Sequence, residues 1–320
     1  MTFLILFPLS LSFSVPVKGL LPVTARIEKM DFLQPAYIGE VIKVKAKLAY
    51  TSPRSLMVVV DVTSENMLTG KERTTNTAML WYVALDQNAE KAPGSGRVAP
   101  IPQLAANTPA QQELRTLGEQ LYRRRKEGLA RPEGHPHHHT LEDDDLLNPA
   151  RYTKAEGGAS PSASKTELIQ IMMPSDCMKG GSVTGGKLVP SNIVKGGVIM
   201  KIMDEASSIS AMRHCRTIVV TISLESMDFK HPAYNGNVVT AKSLLNFTSS
   251  KTMELEVTVE AEDLGTGKSV ITNTSLFKFV SLDKNLKSGP VKPLHLETRD
   301  DVRRYLAGQR RYEEDKKARS

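Results

Sequence analysis

The chain is short of aromatic residues, of cysteine and of long apolar runs. Aromatics make up 5% of its 320 residues, too few to furnish a base-stacking platform for single-stranded nucleic acid. Its two cysteines, Cys177 and Cys215, make neither a disulfide framework nor a metal-binding spacing, and they fit a reducing compartment. No apolar run reaches the roughly 20 residues that a membrane helix needs. The pairs Gly180-Gly181 and Gly185-Gly186 lack the spacing and the following Gly-Lys-Ser/Thr of a nucleotide loop. What remains is an ordinary globular composition, 40% hydrophobic and 24% charged. The net charge of +7 favours polyanionic partners. With aromatics so few, a phosphorylated small molecule fits that charge better than nucleic acid does.

The first residues stand apart. Residues 2–17 are apolar and almost uncharged, with no basic residue before them and Lys18 after them. Their length suits the core of a secretory signal, although Pro8 and Pro16 oppose a helix there. Two expectations follow: a signal, or an atypical start that replaces something else.

A duplication dominates the rest. Residues 24–88 align with 221–285 without a gap, and 27 of the 65 positions are identical. Met30-Asp31-Phe32 matches Met227-Asp228-Phe229, and Thr75-Asn76-Thr77 matches Thr272-Asn273-Thr274. Each copy reads as antiparallel strands. In the second, Thr252 to Glu260 alternates apolar and polar, the period of a half-buried strand. In the first, Leu56 to Val62 is more continuously apolar, as expected of a strand buried on both faces. Thr69-Gly70 and Thr266-Gly267 fall in hairpin turns.

The second copy has more upstream: a short strand at 167–173, a glycine-rich loop, then Gly196-Gly197 opening a helical run from Val198 to Arg213 with apolar residues on several faces. The first copy has no counterpart to these; the atypical start stands in their place. The division expected is 1–23 start, 24–88 partial first copy, 89–165 linker, 166–290 second copy and 291–320 charged helix. Within the linker, 111–127 reads as a charged helix. Residues 131–164, with prolines, a His tract and the acidic run at 142–145, read as disordered. The terminal segment 297–320, with eight basic and six acidic residues, reads as a solvated helix echoing that of the linker.

The runs "PSDC", "GGVIMKIMDEA", "RHC", "MDF" and "TSSKTMELEV", set in two copies, resemble the cytosolic long-chain acyl-CoA thioesterases with fused hotdog domains. The resemblance covers about 25–88 and 168–320. It implies an α+β fold of tandem hotdog domains, each an antiparallel sheet wrapped around a central helix, the first copy lacking its helix. It implies hydrolysis of fatty acyl-CoA in the cytoplasm, no cofactor beyond the coenzyme A of the substrate, and a homo-oligomer, a trimer of double hotdogs. In such enzymes the thioester carbonyl docks at the N-terminus of the central helix, where free N–H groups stabilise an oxyanion. Gly196 and Gly197 match that position, and Asp204 matches the acid that orients or deprotonates water. The family's second catalytic residue, an Asn in the loop before the first copy's helix, has no counterpart. Asn192, in an eleven-residue insertion at 187–197, is the substitute candidate. For the coenzyme A moiety the resemblance points to Ile222, Ser223, Leu224, Lys251, Thr252 and Met253, with Arg26, Arg54 and Ser55 across a pseudo-twofold. The alternative is an impaired hotdog protein that binds coenzyme A or assembles with intact subunits.

Other conspicuous residues read as structural. His214 and the two cysteines suit core positions. His135, His137, His138 and His139 lie in a solvated linker without the rigid context that a metal site requires. Residues 2–17 are expected to cover part of the apolar concave face that the truncated first copy would otherwise expose.

Overall fold

A computed structural model describes residues 20–86, 97–129, 147–152, 157–178, 183–184, 187–188 and 192–319. The expectations for the apolar start, the His tract and the acidic run fall outside the described residues, as do residues 189–191 of the insertion at 187–197.

The first copy comprises β1 (Leu20–Ile27), β2 (Met30–Asp31), β3 (Val41–Thr51), β4 (Ser55–Glu65), β5 (Glu72–Asp86), β6 (Arg97–Val98) and α1 (Pro109–Leu129). The second comprises α2 (Pro161–Ser164), β7 (Thr166–Ile171), β8 (Val183–Thr184), β9 (Lys187–Leu188), α3 (Gly196–Cys215), β10 (Ile218–Leu224), β11 (Met227–Asp228), β12 (Val238–Thr248), β13 (Thr252–Asp263), β14 (Lys268–Leu282) and α4 (Arg299–Arg319). They build two six-stranded antiparallel sheets. One runs β11-β1-β5-β4-β3, with β6 beside β5; the other runs β2-β10-β14-β13-β12-β7. A small hairpin pairs β8 with β9.

Each sheet borrows its edge from the other copy. Arg26 and Ile27 pair with Asp228 and Met227, and Ser223 and Leu224 pair with Asp31 and Met30. These contacts are related by the same 197-residue offset as the sequence repeat, so the two copies form an internal pseudo-dimer. Even the irregularities repeat. The sheets bulge at Thr24/Arg26 and Thr221/Ser223, and at Leu48/Tyr50 and Leu245/Phe247. Gly70 and Gly267 turn the β4–β5 and β13–β14 hairpins at φ 66° and 67°, a left-handed geometry that favours glycine.

An ionic cluster clamps the joint. Lys29 of the first copy reaches Glu225 at 3.1 Å and Asp315 at 2.9 Å, and Lys278 holds Glu225 at 2.9 Å. Burial alone would push the Asp315 carboxyl up, but the hydrogen bonds and charges of Lys278 and Lys29 hold it below the usual range. Arg26 is committed here too, to Glu28 at 3.0 Å and Asp228 at 2.7 Å.

The duplication extends past the strands. After a shorter second connection, α1 and α4 correspond at an offset of 190. Thr108 and Thr298 cap them alike, each exchanging hydrogen bonds with the residue three positions on, Gln111 or Asp301. Gly118 lies against Tyr50, and Gly308 against its equivalent Phe247. The helix expected within the linker is therefore part of the first copy. Likewise the terminal helix is not simply solvated: Tyr305 and Tyr312 stack near Phe247, with centroids 5.2 and 5.5 Å away. The segment expected to be disordered is ordered at 157–164, where Ala159 bridges to Leu294 and α2 packs on β12 and α3.

α3 is the centre of the second copy. Ile199, Met200, Ile202, Met203, Ala206 and Ala211 are buried around its circumference, because β7, β10, β12, β13 and β14 all pack against it. Among the described residues no helix occupies the corresponding place in the first copy. β3 shows the consequence: Val41 and Val44 are 41% and 37% exposed. Their equivalents in β12, Val238 and Ala241, pair with β7; Val238 is half-buried and Ala241 is fully buried. β4 is buried on both faces, as its continuous apolar run suggests.

Candidate functional site

The site begins where α3 begins. No side chain caps this helix; backbone bonds fix its entry instead. Val194 N–H donates to Ala233 O at 2.9 Å, Lys195 N–H donates to Asp176 O at 3.0 Å, and Lys195 Nζ donates to Ser175 O at 2.7 Å. The first N–H groups of a helix have no acceptor within it and carry the positive end of its dipole. Gly196 places that end against the other copy. A Cβ at Gly196 would lie 3.0 Å from Thr24 Cβ and 3.2 Å from Phe229 Cζ, so a side chain here would require these neighbours to give by a few tenths of an ångström.

Eight residues further along α3, Asp204 is 7% exposed and accepts a 2.7 Å hydrogen bond from the Thr221 hydroxyl at Oδ1. Helical rise separates Gly197 from Asp204 by about 10 Å along the axis, and the side chain leans back toward the N-terminus. Thr221 went unnoticed among the sequence candidates. Its signal was present: Thr24 and Thr221 are identical at the first aligned position of the repeat.

Among the described residues, the first copy repeats this geometry without the acid. Thr24 stands opposite Tyr82 in the β1–β5 ladder, as Thr221 stands opposite Phe279. Thr24 and Tyr82 share a hydrogen bond, and burial pushes the Tyr82 hydroxyl up to about 12, so it stays protonated.

The remaining candidates separate. Asn192 lies in the strand-like entry to α3, exposed, with its carbonyl accepting from Asn235 N–H at 2.8 Å. Ser223 and Leu224 are buried, and β2 covers the β10 edge along which they lie; Phe32 N–H takes the Ile222 carbonyl at 3.0 Å. They are parts of the joint between copies. Lys251 is exposed in a turn closed by the Ser249 hydroxyl, Thr252 is half-buried at the start of β13, and Met253 is buried. This turn sits at the far end of α3. Val291 N–H donates to Ser250 O, and the adjacent Lys292 carbonyl meets His214 Nε2 near the helix C-terminus. Beside the turn opens a cavity of 310 Å³ lined by Tyr152, Ser249, Val291 and Tyr305. The equivalent turn of the first copy lies nearer the helix start: β4 enters the sheet at Ser55, and its next residue, Leu56, pairs with Tyr82, the partner of Thr24. Two strand spacings, about 10 Å, therefore separate this turn from Thr24. Ser55 is tied to Ser52 at 2.7 Å, whereas Arg54 is exposed. Arg26, held in its ion pairs, is not free to meet a phosphate.

Burial pulls His214 below its ordinary value despite its bond to Lys292. Cys177 is buried between the carbonyls of Met173 and Asn192, and burial raises its thiol; neither is set up as a nucleophile or a general base. Among the described residues no group of three or more His, Cys, Asp or Glu side chains is placed to hold a metal ion. No helix among them is long and apolar enough to cross a membrane.

Comparison with known proteins places this architecture. The thioesterase superfamily profile matches residues 11–71 and 191–268, one stretch in each copy. The cytosolic acyl coenzyme A thioester hydrolase of Homo sapiens is 37% identical over 90% of this chain and 69% of its own length. The protein of the same name from Rattus norvegicus is 38% identical over 90% and 68%. Among solved structures, an apo-hexameric acyl-CoA thioesterase is 26% identical over 51% of this chain and 97% of that chain, with a TM-score of 0.44. From its sequence relatives, this chain belongs to the cytosolic acyl coenzyme A thioester hydrolase family of the thioesterase superfamily.

Proposed function

We propose that the chain hydrolyses the thioester of fatty acyl-CoA to a free fatty acid and coenzyme A, at the N-terminal half of α3. The carrying observation is the Asp204 carboxylate, buried on the central helix and oriented by Thr221 at 2.7 Å. The N–H groups of Gly196 and Gly197 receive the thioester carbonyl and stabilise the oxyanion that forms as water attacks. Asp204 orients that water and accepts its proton; collapse of the tetrahedral intermediate then expels the coenzyme A thiolate. Asn192 stands four residues before the helix and is the nearest amide side chain to its entry in sequence. Arg54, exposed about two strands from Thr24, suits a phosphate of the nucleotide end. Lys251 and Thr252, at the opposite end of α3, would serve a substrate held by a neighbouring chain. That fits assembly as a trimer of double hotdogs, which native mass spectrometry tests. The activity belongs in the cytosol, in keeping with the names of the mammalian relatives and with two free cysteines.

Asp204→Asn tests the reading. Turnover of palmitoyl-CoA and shorter acyl-CoAs falls about 10³-fold, while the melting temperature stays near that of the parent. An Asn variant as active as the parent removes Asp204 from the chemistry. A second reading is favoured by one observation: among the described residues no helix fills the first copy. On that reading the parent chain binds coenzyme A, seen as thermal stabilisation, yet shows negligible turnover.

A further inference from the structure

The Thr24–Tyr82 pair has no task in the scheme above, although it borders the reaction site. Thr24 is partly exposed and lies at the start of α3, its Oγ1 3.1 Å from where a Cβ of Gly196 would stand. Tyr82 lies directly behind it, 4% exposed, at the facing ladder position. In the second copy the equivalent threonine spends its hydroxyl on Asp204, and the residue behind it is Phe279, which offers no hydrogen bond. The first copy thus keeps the threonine and replaces the phenylalanine by a tyrosine whose hydroxyl takes the threonine in hand. A simple packing role would be filled equally well by phenylalanine, as it is in the second copy. A hydroxyl has one proton to give and can also accept. When Tyr82 donates to Thr24, the Thr24 proton is directed outward, toward the helix start.

We propose that Thr24 is the first copy's contribution to the reaction site: it donates a hydrogen bond to the substrate's thioester carbonyl at the entry to α3, and Tyr82 is the positioning residue that aims it. The donor would act beside the N–H groups of Gly196 and Gly197 and strengthen as the carbonyl oxygen gains charge. No bond to Thr24 forms or breaks. The inference rests on acyl-CoA being the substrate.

Three variants of the full chain test it: Thr24→Val, Thr24→Ser and Tyr82→Phe, the last being the second copy's own residue. Thr24→Val lowers kcat for acyl-CoA about a hundredfold, Thr24→Ser restores most of it, and Tyr82→Phe causes a smaller loss in kcat than in Thr24→Val, with KM little changed. Binding is measured in parallel with two inert acyl-CoA analogues: a ketone, in which methylene replaces the thioester sulfur, and a thioether, which has no carbonyl. Thr24→Val weakens the ketone about tenfold and leaves the thioether unchanged. This arm is read even if the parent chain turns over no acyl-CoA, an outcome that would defeat the proposed hydrolysis but not the carbonyl contact. Equal weakening of both analogues, no weakening of either, or a loss that Thr24→Ser does not rescue overturns the proposal.

Discussion

Each sheet carries a helix on its outer face, α1 on one and α4 on the other, and the two joints are built from opposite chemistry. Under α1 lies an apolar cluster of Ala49, Met57, Val59 and Trp81, joined by Leu114, Leu121 and Tyr122. At the same positions under α4 stand Asn246, Glu254, Glu256 and Lys278. Met57 and Leu121 of the first joint become Glu254 and Arg311 in the second, a pair 2.6 Å apart with Glu254 3% exposed. Trp81 donates from Nε1 to Glu28 at 2.8 Å, and its replacement Lys278 reaches the equivalent Glu225. One backbone geometry therefore tolerates either an oily or an ionic filling. Close approach is what both share: in each joint a glycine meets the Cβ of an aromatic residue.

Swapping residues between the joints tests how far they are equivalent. The largest effect should follow Arg311→Leu alone. It strands the buried Glu254 carboxylate and should cost about 3–5 kcal/mol in chemical denaturation. Adding Glu254→Met transplants the first joint's pair into the second and should recover that loss or better it, since apolar replacements of buried ion pairs are often neutral to stabilising. A double variant no more stable than the single one would mean that the joints are not interchangeable.

Gly118→Ala and Gly308→Ala come next. The new Cβ would fall 2.3 Å from Tyr50 Cβ and 2.5 Å from Phe247 Cβ. Each should lose about 2 kcal/mol, overpacking outweighing the gain of alanine in a helix. Similar losses sharpen the comparison; a loss in one joint alone breaks it.

A smaller effect separates the copies by pH, because His214 belongs to the helix that, among the described residues, only the second copy shows. Its folded-state affinity for protons is depressed by burial. The unfolded chain therefore binds a proton first as pH falls below about 6.5, so the stability present above that pH is lost on acidification. His214→Gln should flatten the dependence between pH 7.5 and 5.5; an unchanged slope would assign it elsewhere.

The smallest effect is expected at Asn246, buried with neither amide atom hydrogen-bonded. Replacing it by alanine, the residue of the first copy at that position, should be neutral or raise stability by about 1 kcal/mol. A clear loss would point to a partner such as a buried water.

Much of this was legible beforehand because strands are patterned locally. The repeat at offset 197 located the strands and the turns at Gly70 and Gly267, and the apolar run after Gly196-Gly197, which the repeat does not cover, located the helix carrying Asp204. The equivalence of α1 and α4 was harder to read. Their offset differs by seven residues, and the anchors Thr108, Gly118 and Tyr122 are sparse among divergent charges. Thr221 escaped notice because a threonine in a strand is ordinary; only its 2.7 Å contact with Asp204 gives it a task. Sequence does not reveal that two residues of the other copy close the β10 edge along which Ser223 and Leu224 lie.

The sequence alone determined the duplication, the strand and helix types, the family and the acid on the central helix, because periodicity, glycine placement and identity between copies are carried by neighbours along one chain. Tertiary structure decided which surfaces meet: the exchange of β2 and β11, the seating of Gly196 against Thr24, and the two unlike fillings beneath α1 and α4. Those depend on contacts between residues distant along the chain, set by packing and by burial of charge, and no local pattern encodes them.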